Sequence, residues 1–104
     1  MLKNFSDEQF ETDVKKEDVS VIQFSAAWCG PCKSLKPIMD KISDEKKDIN
    51  FYYADIEDGG INTGSAMGIR GVPSTIIFKK GIEVDRLVGN PGEAKVKEFI
   101  EASI

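Results

Sequence analysis

The stretch that decides the fold runs from Val19 to Cys32 and reads VSVIQFSAAWCGPC. Its first part, Val19–Phe24, is a short and nearly continuous apolar run, which predicts a β-strand covered on both faces. After the two cysteines, an apolar stripe with the i, i+3, i+4, i+7 spacing of an amphipathic helix is formed by Leu35, Ile38, Met39 and Ile42. The sequence therefore places Cys29 and Cys32 where a buried strand gives way to a helix.

Capping patterns and periodicity predict the other elements. Ser6-Asp7-Glu8-Gln9 matches a helix capping box, flanked by Phe5 and Phe10 at the staple positions, and Phe10 and Val14 are expected to be the buried stripe of that helix. Further strands are predicted over Asn50–Ile56, Ser74–Phe78 and Glu83–Val88. Because only four residues separate the last two strands, they are expected to form a hairpin.

Two prolines mark helix features. Pro37 lies inside the helix after the cysteines, and its missing N–H predicts a bend there. Pro91 follows Asn90, which predicts a last helix with Asn90 as N-cap and a core face made of Val96, Phe99, Ile100 and Ile104. The predicted fold class is α/β, with a mixed sheet and helices on both faces.

Composition limits the class of function. The chain has 104 residues, which suits one domain over 1–104, and a net charge of -4 without a long basic run. Nucleic acid and anionic membranes are therefore unexpected partners. No stretch approaches the ~20 apolar residues of a membrane span. The first ten residues carry Asp7 and Glu8 where a signal peptide would be apolar, so the expected location is cytoplasmic.

The spacing of Cys29 and Cys32 indicates redox chemistry. A helix N-terminus favours a thiolate, so the pKa of Cys29 is expected to lie below its ordinary value. Cys32 is three residues further on, close enough for its sulfur to reach that of Cys29 and close a small ring. The absence of histidine excludes Cys-His pairs and His-ligated metal sites. Two other interpretations stay open: half of a zinc site shared between two chains, and an inert disulfide, which a reducing cytosol would not maintain.

Several segments together resemble the thioredoxin family over essentially the whole chain. They are Trp28–Cys32 (WCGPC), Asp55-Ile56, Gly68–Ser74 (GIRGVPS), Lys80-Gly81 and Val88-Gly89. The resemblance implies a thioredoxin fold, a central mixed sheet flanked by four helices. It also implies a protein disulfide reductase with Cys29 as nucleophile and Cys32 as resolving thiol. No cofactor beyond the redox-active disulfide Cys29–Cys32 is expected.

The resemblance also implies the residues around the cysteines. Pro73 would be cis and face them, and Val72 would offer backbone hydrogen bonds to an extended segment of the partner. A flat apolar surface, called here the docking patch, would consist of Trp28, Gly30, Pro31, Val72, Pro73 and Gly89. Gly71 would join Trp28, Val72, Pro73 and Gly89 in binding the partner. Spacing alone, by contrast, favours a simple turn before a strand at Gly71–Pro73.

Partners follow from the same resemblance. The expected electron donor is a thioredoxin reductase, either a flavin enzyme that uses NADPH or a ferredoxin-linked one, and the expected substrates are diverse proteins with disulfides. The protein would act as a monomer. Two alternatives remain: a disulfide oxidase or isomerase, which the Gly-Pro spacer disfavours, and a non-catalytic binding subunit.

Three positions depart from the family pattern. Gln23 stands where members usually carry a buried aspartate in the second strand, Tyr53 where a lysine often accompanies it, and Ser25 where many have an aromatic residue. Glutamine cannot titrate, so Cys32 must lose its proton to water or to another base. We expect activity to survive with a changed pH dependence, with Gln23 as supporting residue of the site. The alternative is that Gln23 is only a hydrogen-bonded core amide.

Overall fold

The computed structural model describes all 104 residues, Met1–Ile104, and its centre is a single mixed sheet. The strands are β1 (Lys3–Asn4), β2 (Ser20–Ser25), β3 (Asn50–Asp55), β4 (Ser74–Lys79) and β5 (Ile82–Val88). They lie in the order β1-β3-β2-β4-β5. The pairs β1–β3 and β2–β3 are parallel, whereas β2–β4 and β4–β5 are antiparallel.

Four helices cover the sheet: α1 (Glu8–Thr12), α2 (Gly30–Glu45), α3 (Ile61–Ala66) and α4 (Glu93–Ala102). A short 3₁₀ turn, Val14–Lys16, follows α1. No helix is both long and apolar enough to cross a membrane. The predicted α/β class with four flanking helices is therefore confirmed.

Alternation along β2 divides the core into two clusters. Val21 packs on the face covered by α2 and α4, with Leu35, Met39, Ile42, Val96 and Ile100. Ile22 and Phe24 point to the opposite face, where they pack with Phe5, Val14, Tyr52, Ile76 and Phe78. All six residues of β2 are buried, which confirms the prediction of a strand covered on both faces.

The predicted hairpin is also confirmed. β4 pairs with β5 from Ser74↔Val88 to Lys79↔Ile82. The two turn residues, Lys80 and Gly81, both have positive φ, of 53° and 79°. This is the backbone twist that a two-residue hairpin turn requires.

The predicted start of the last helix is wrong. Its N-cap is Gly92, so Asn90 and Pro91 lie before the helix. Asn90 Oδ1 accepts a hydrogen bond of 3.0 Å from Gly92 N–H, because an asparagine side chain can close a local turn instead of capping a helix. Val96 and Ile100 are buried as predicted, but Ile104 lies beyond the helix and is 50% exposed.

The first helix also begins later than predicted, at Glu8 with Asp7 as N-cap. Only half of the capping box forms: Ser6 N–H donates to Gln9 Oε1 at 2.8 Å. The Asp7 carboxylate instead accepts hydrogen bonds from Thr63, in α3. Val14 is buried as predicted, but within the 3₁₀ turn rather than in α1.

Two elements, β1 and α3, were not located by the sequence patterns. β1 has two residues and α3 has six, so neither is long enough to show a period. Pro37 lies inside α2 as predicted, and the bend at this position stays a prediction.

Candidate active site

The two cysteines lie at the start of α2, directly after the centre of the sheet. Cys29 is the N-cap of the helix and Cys32 is in its first turn, with their Cα atoms 5.3 Å apart and their sulfurs joined in a disulfide. Cys32 N–H donates to Cys29 Sγ at 3.2 Å. The sulfur of Cys29 thus takes the position of an N-cap acceptor, where the positive end of the helix favours negative charge.

A loop from the other half of the chain faces Cys29. The peptide bond between Val72 and Pro73 is cis, and the Val72 carbonyl oxygen lies 3.7 Å from Cys29 Sγ. Val72 is half-buried and packs against the cluster of Ala26, Cys29 and Cys32. Gly89 N–H donates to the Pro73 carbonyl at 2.8 Å. The loop of Val72 and Pro73 therefore lies against the disulfide, and Gly89 is hydrogen-bonded to that loop.

The remaining members of the docking patch lie around this centre. Trp28 is 69% exposed, and its indole N–H donates to Glu57 Oε1 at 2.9 Å. Gly30 and Pro31 are exposed at the beginning of α2. Gly71 is exposed as well, with its carbonyl accepting from Ser74 Oγ at 2.6 Å. Sequence reasoning missed Glu57, since an isolated acidic residue in a loop carries no pattern.

The side chains of Gln23 and Ser25 are hydrogen-bonded to each other beneath the cysteines. Gln23 is fully buried, and its Nε2 donates to Ser25 Oγ at 2.9 Å and to the Cys32 carbonyl at 3.2 Å. Ser25 is fully buried too. The Ser25 hydroxyl oxygen accepts the hydrogen bond that the amide nitrogen donates. The two departures from the family pattern are therefore complementary, and together they tie β2 to the first turn of α2.

Tyr53 and Lys36 lie next to this contact. Tyr53 faces Gln23 across β2 and β3, and Lys36 Nζ is 5.7 Å from its ring. Lys36 also pairs with Asp40 at 3.0 Å. Burial alone would raise the pKa of Asp40, but hydrogen bonds from Leu2 N–H and Lys36 outweigh it and lower the pKa. The charge of Lys36 is thus engaged away from the disulfide.

Comparison with known proteins agrees with this geometry. The family model described as Thioredoxin matches residues 1–102. The chain belongs to the thioredoxin family. No group of three or more His, Cys, Asp or Glu residues is placed to hold a metal ion.

Individual thioredoxins match over the whole chain. The chain is 36% identical to the thioredoxin of Rickettsia prowazekii over 106 aligned positions, which cover 100% of both chains. It is 36% identical to "Thioredoxin M4, chloroplastic" of Arabidopsis thaliana over 94% of its own length, which is 51% of that protein. The solved Plasmodium falciparum thioredoxin aligns with a TM-score of 0.90 at 25% identity, covering 99% of this chain and 100% of the other.

Family and site together establish the activity of this thioredoxin-family protein. It is a thiol–disulfide oxidoreductase with a Cys-Gly-Pro-Cys pair as its redox centre. The departures at Gln23, Ser25 and Tyr53 lie in β2 and β3, outside the Cys-Gly-Pro-Cys segment.

Proposed function

We propose that this chain reduces disulfides in other proteins, with Cys29 as the attacking thiolate and Cys32 as the resolving thiol. The observation that carries the assignment is the asymmetry of the pair. Cys29 Sγ accepts the Cys32 N–H at the helix N-terminus, and Cys29 is 3% exposed against 0% for Cys32. Because the helix N-terminus stabilises a thiolate, this position favours Cys29 as the attacking residue of the pair.

The reaction has two exchange steps. Cys29 thiolate attacks one sulfur of the partner's disulfide, the bond between the partner's sulfurs breaks, and the other partner sulfur leaves as a thiolate. Cys32 then attacks Cys29 Sγ, which forms the Cys29–Cys32 disulfide and releases the second partner sulfur. Because Cys32 is held in the same helical turn, this second step is effectively intramolecular.

The docking patch would bind the partner around Cys29. We infer that an extended segment of the partner pairs with the Val72 backbone, with Trp28, Gly71, Pro73 and Gly89 around it. The 3.7 Å approach of the Val72 carbonyl to Cys29 Sγ supports this placement, because a segment paired there would lie beside the reactive sulfur.

The electron donor, the oligomeric state and the location are inferred from the family. A thioredoxin reductase, NADPH- or ferredoxin-linked, would return the disulfide to the dithiol, and no bound cofactor would be needed. The protein would work as a single-domain monomer of residues 1–104 in the cytoplasm. Its curated relatives include full-length bacterial thioredoxins, which supports a one-domain unit.

Reduction of insulin by dithiothreitol tests the proposal. The wild type should accelerate the reaction strongly, and both Cys29→Ser and Cys32→Ser should abolish the acceleration. Cys32→Ser should accumulate a mixed disulfide with the substrate, whereas Cys29→Ser should not. Ser34→Ala, a hydroxyl change on an exposed position of the same helix, serves as the matched control and should keep full activity. A wild type no faster than dithiothreitol alone would contradict the proposal and favour a binding subunit.

A further inference from the structure

Two buried side-chain oxygens lack a hydrogen-bond partner, and they belong to residues that face each other. They are Gln23 Oε1 and Thr75 Oγ1, and both residues are fully buried. Gln23 on β2 is directly opposite Thr75 on β4 in the antiparallel ladder. Side chains of such a pair lie on the same face of the sheet with their Cβ atoms about 5 Å apart. The two residues therefore lie side by side beneath α2, each with one buried oxygen that has no partner.

The orientation of the Gln23 amide is fixed by its other contacts. The Cys32 carbonyl can only accept a hydrogen bond, so the Gln23 atom 3.2 Å from it must be the nitrogen. The same nitrogen donates to Ser25 Oγ, which leaves Oε1 on the free side of the amide. An amide oxygen accepts, and the Thr75 hydroxyl both donates and accepts.

The chemistry of this pair selects its ligand. Both groups are neutral, so the site has no charge to hold a metal ion or an anion. A small neutral molecule that donates to the amide oxygen and exchanges a hydrogen bond with the hydroxyl would satisfy both atoms. Water has these properties, and buried waters in proteins typically bond to polar groups that otherwise have no partner.

We propose that Gln23 Oε1 and Thr75 Oγ1 hold one internal water molecule behind Cys32, and that this water takes up the proton of the Cys32 thiol. The inference rests on the proposed reductase function, in which Cys32 must become a thiolate. Gln23 cannot serve as the base, since its amide does not titrate, but its Nε2 holds the first turn of α2 over the site. Gln23 and Thr75 are therefore positioning residues.

The proton leaves Cys32 Sγ for the water, which releases a proton to the solvent. The electron pair left on Cys32 Sγ forms the bond to Cys29 Sγ, and the bond between Cys29 and the partner breaks. The partner sulfur leaves as a thiolate with the electron pair of the broken bond and takes a proton from the solvent.

Thr75→Val tests the inference, because valine keeps the shape of threonine and removes the hydroxyl. Thr75→Ser is its matched control, since it keeps the hydroxyl. In high-resolution crystal structures, a water bonded to both oxygens is expected in the wild type and in Thr75→Ser, and is expected to be absent from Thr75→Val. A wild-type structure without this water overturns the proposal, as does a direct bond between Thr75 and Gln23.

Kinetics test the role of the water. The substrate is a fluorescent peptide joined by a disulfide to thionitrobenzoate, whose colour reports the attack by Cys29. Loss of fluorescence anisotropy then reports release of the peptide by Cys32. Thr75→Val should leave the attack unchanged and slow the release about tenfold, less than the hundredfold or more that a side-chain base contributes. Thr75→Ser should restore the release rate.

The outcomes separate this inference from the proposed function. Equal release rates in the wild type and Thr75→Val would overturn the role of the water while leaving the reductase intact. A wild type that produces no colour would contradict the reductase function itself. Should Thr75→Val fail to fold, the wild-type structure and the release rate of Thr75→Ala still test the water and its role.

Discussion

Gln23→Asp places an ionisable group in the most enclosed part of the site. Gln23 is fully buried, and its Nε2 donates both to Ser25 Oγ and to the Cys32 carbonyl. Aspartate is one methylene shorter and has no N–H, so both hydrogen bonds are lost. Its carboxyl would also be fully buried, and burial disfavours the charged form.

The size of the effect follows from the pKa of the new carboxyl. Burial raises a carboxyl pKa by up to about 3–5 units, and a rise of about three units corresponds to about 4 kcal/mol. The folded value would then be about 7 and the unfolded value about 3.9. Since the folded state holds the proton more tightly, the free energy of unfolding falls from about pH 4 to about pH 7 and is constant above that.

Urea unfolding of the oxidised proteins between about pH 4.5 and 8.5 measures how the free energy of unfolding depends on pH. Gln23→Asn is the matched control, because it has the length of aspartate and cannot ionise. The aspartate variant should be less stable than the asparagine variant by under ~1 kcal/mol at the lowest pH and by about 4 kcal/mol above about pH 7.5. A difference that stays constant across this range would refute the reasoning. An unchanged pH–rate profile for release of the mixed disulfide would refute the link between position 23 and Cys32.

Two further predictions concern stability away from the site. Burial alone would raise the pKa of Asp7, but hydrogen bonds from the α3 N-terminus, including Thr63, lower it. Asp7→Asn should therefore lower the free energy of unfolding by about 1 kcal/mol near pH 7. Urea unfolding should show this loss disappear as the pH falls through the lowered pKa of Asp7. A loss that is unchanged at about pH 2 would contradict this prediction. Gly81→Ala should lower the free energy of unfolding by about 2 kcal/mol, because φ is +79° and the new Cβ would lie 2.7 Å from Lys15 Cγ. Gly68→Ala, with φ +66° and no atom within 4 Å, should cost less, and thermal melts showing equal losses would rule out the contact with Lys15.

Patterns that involve many residues predicted the fold well. The apolar run Val19–Phe24 predicted β2 to within one residue at each end, because a strand buried on both faces excludes polar residues at most positions. The hairpin Ser74–Val88 followed from two strand-forming runs separated by a short turn. WCGPC after such a strand predicted the site, since the strand-to-helix turn fixes where the cysteines lie.

Single side chains with two available partners were predicted poorly. Asn90 could cap α4 or close its own turn, and Asp7 could serve α1 or α3; tertiary contacts decided both. Gln23 and Ser25 were treated as separate departures because nothing in the sequence shows that two residues on one strand face share a hydrogen bond. Thr75 was missed for the same reason, since its relation to Gln23 exists only through the register of β2 and β4.

The strand order has a consequence for the nascent chain. β2 lies in the centre of the sheet, yet its partners β3 and β4 are both synthesised after it, and Gly89 follows the last strand. The dithiol therefore leaves the ribosome before the loop of Val72 and Pro73 that faces it. During that interval the cysteines lack the loop that packs against them in the folded chain. The loop that faces the disulfide thus gains its hydrogen bond from Gly89 only after β5 has been made, although the motif itself is complete at Cys32.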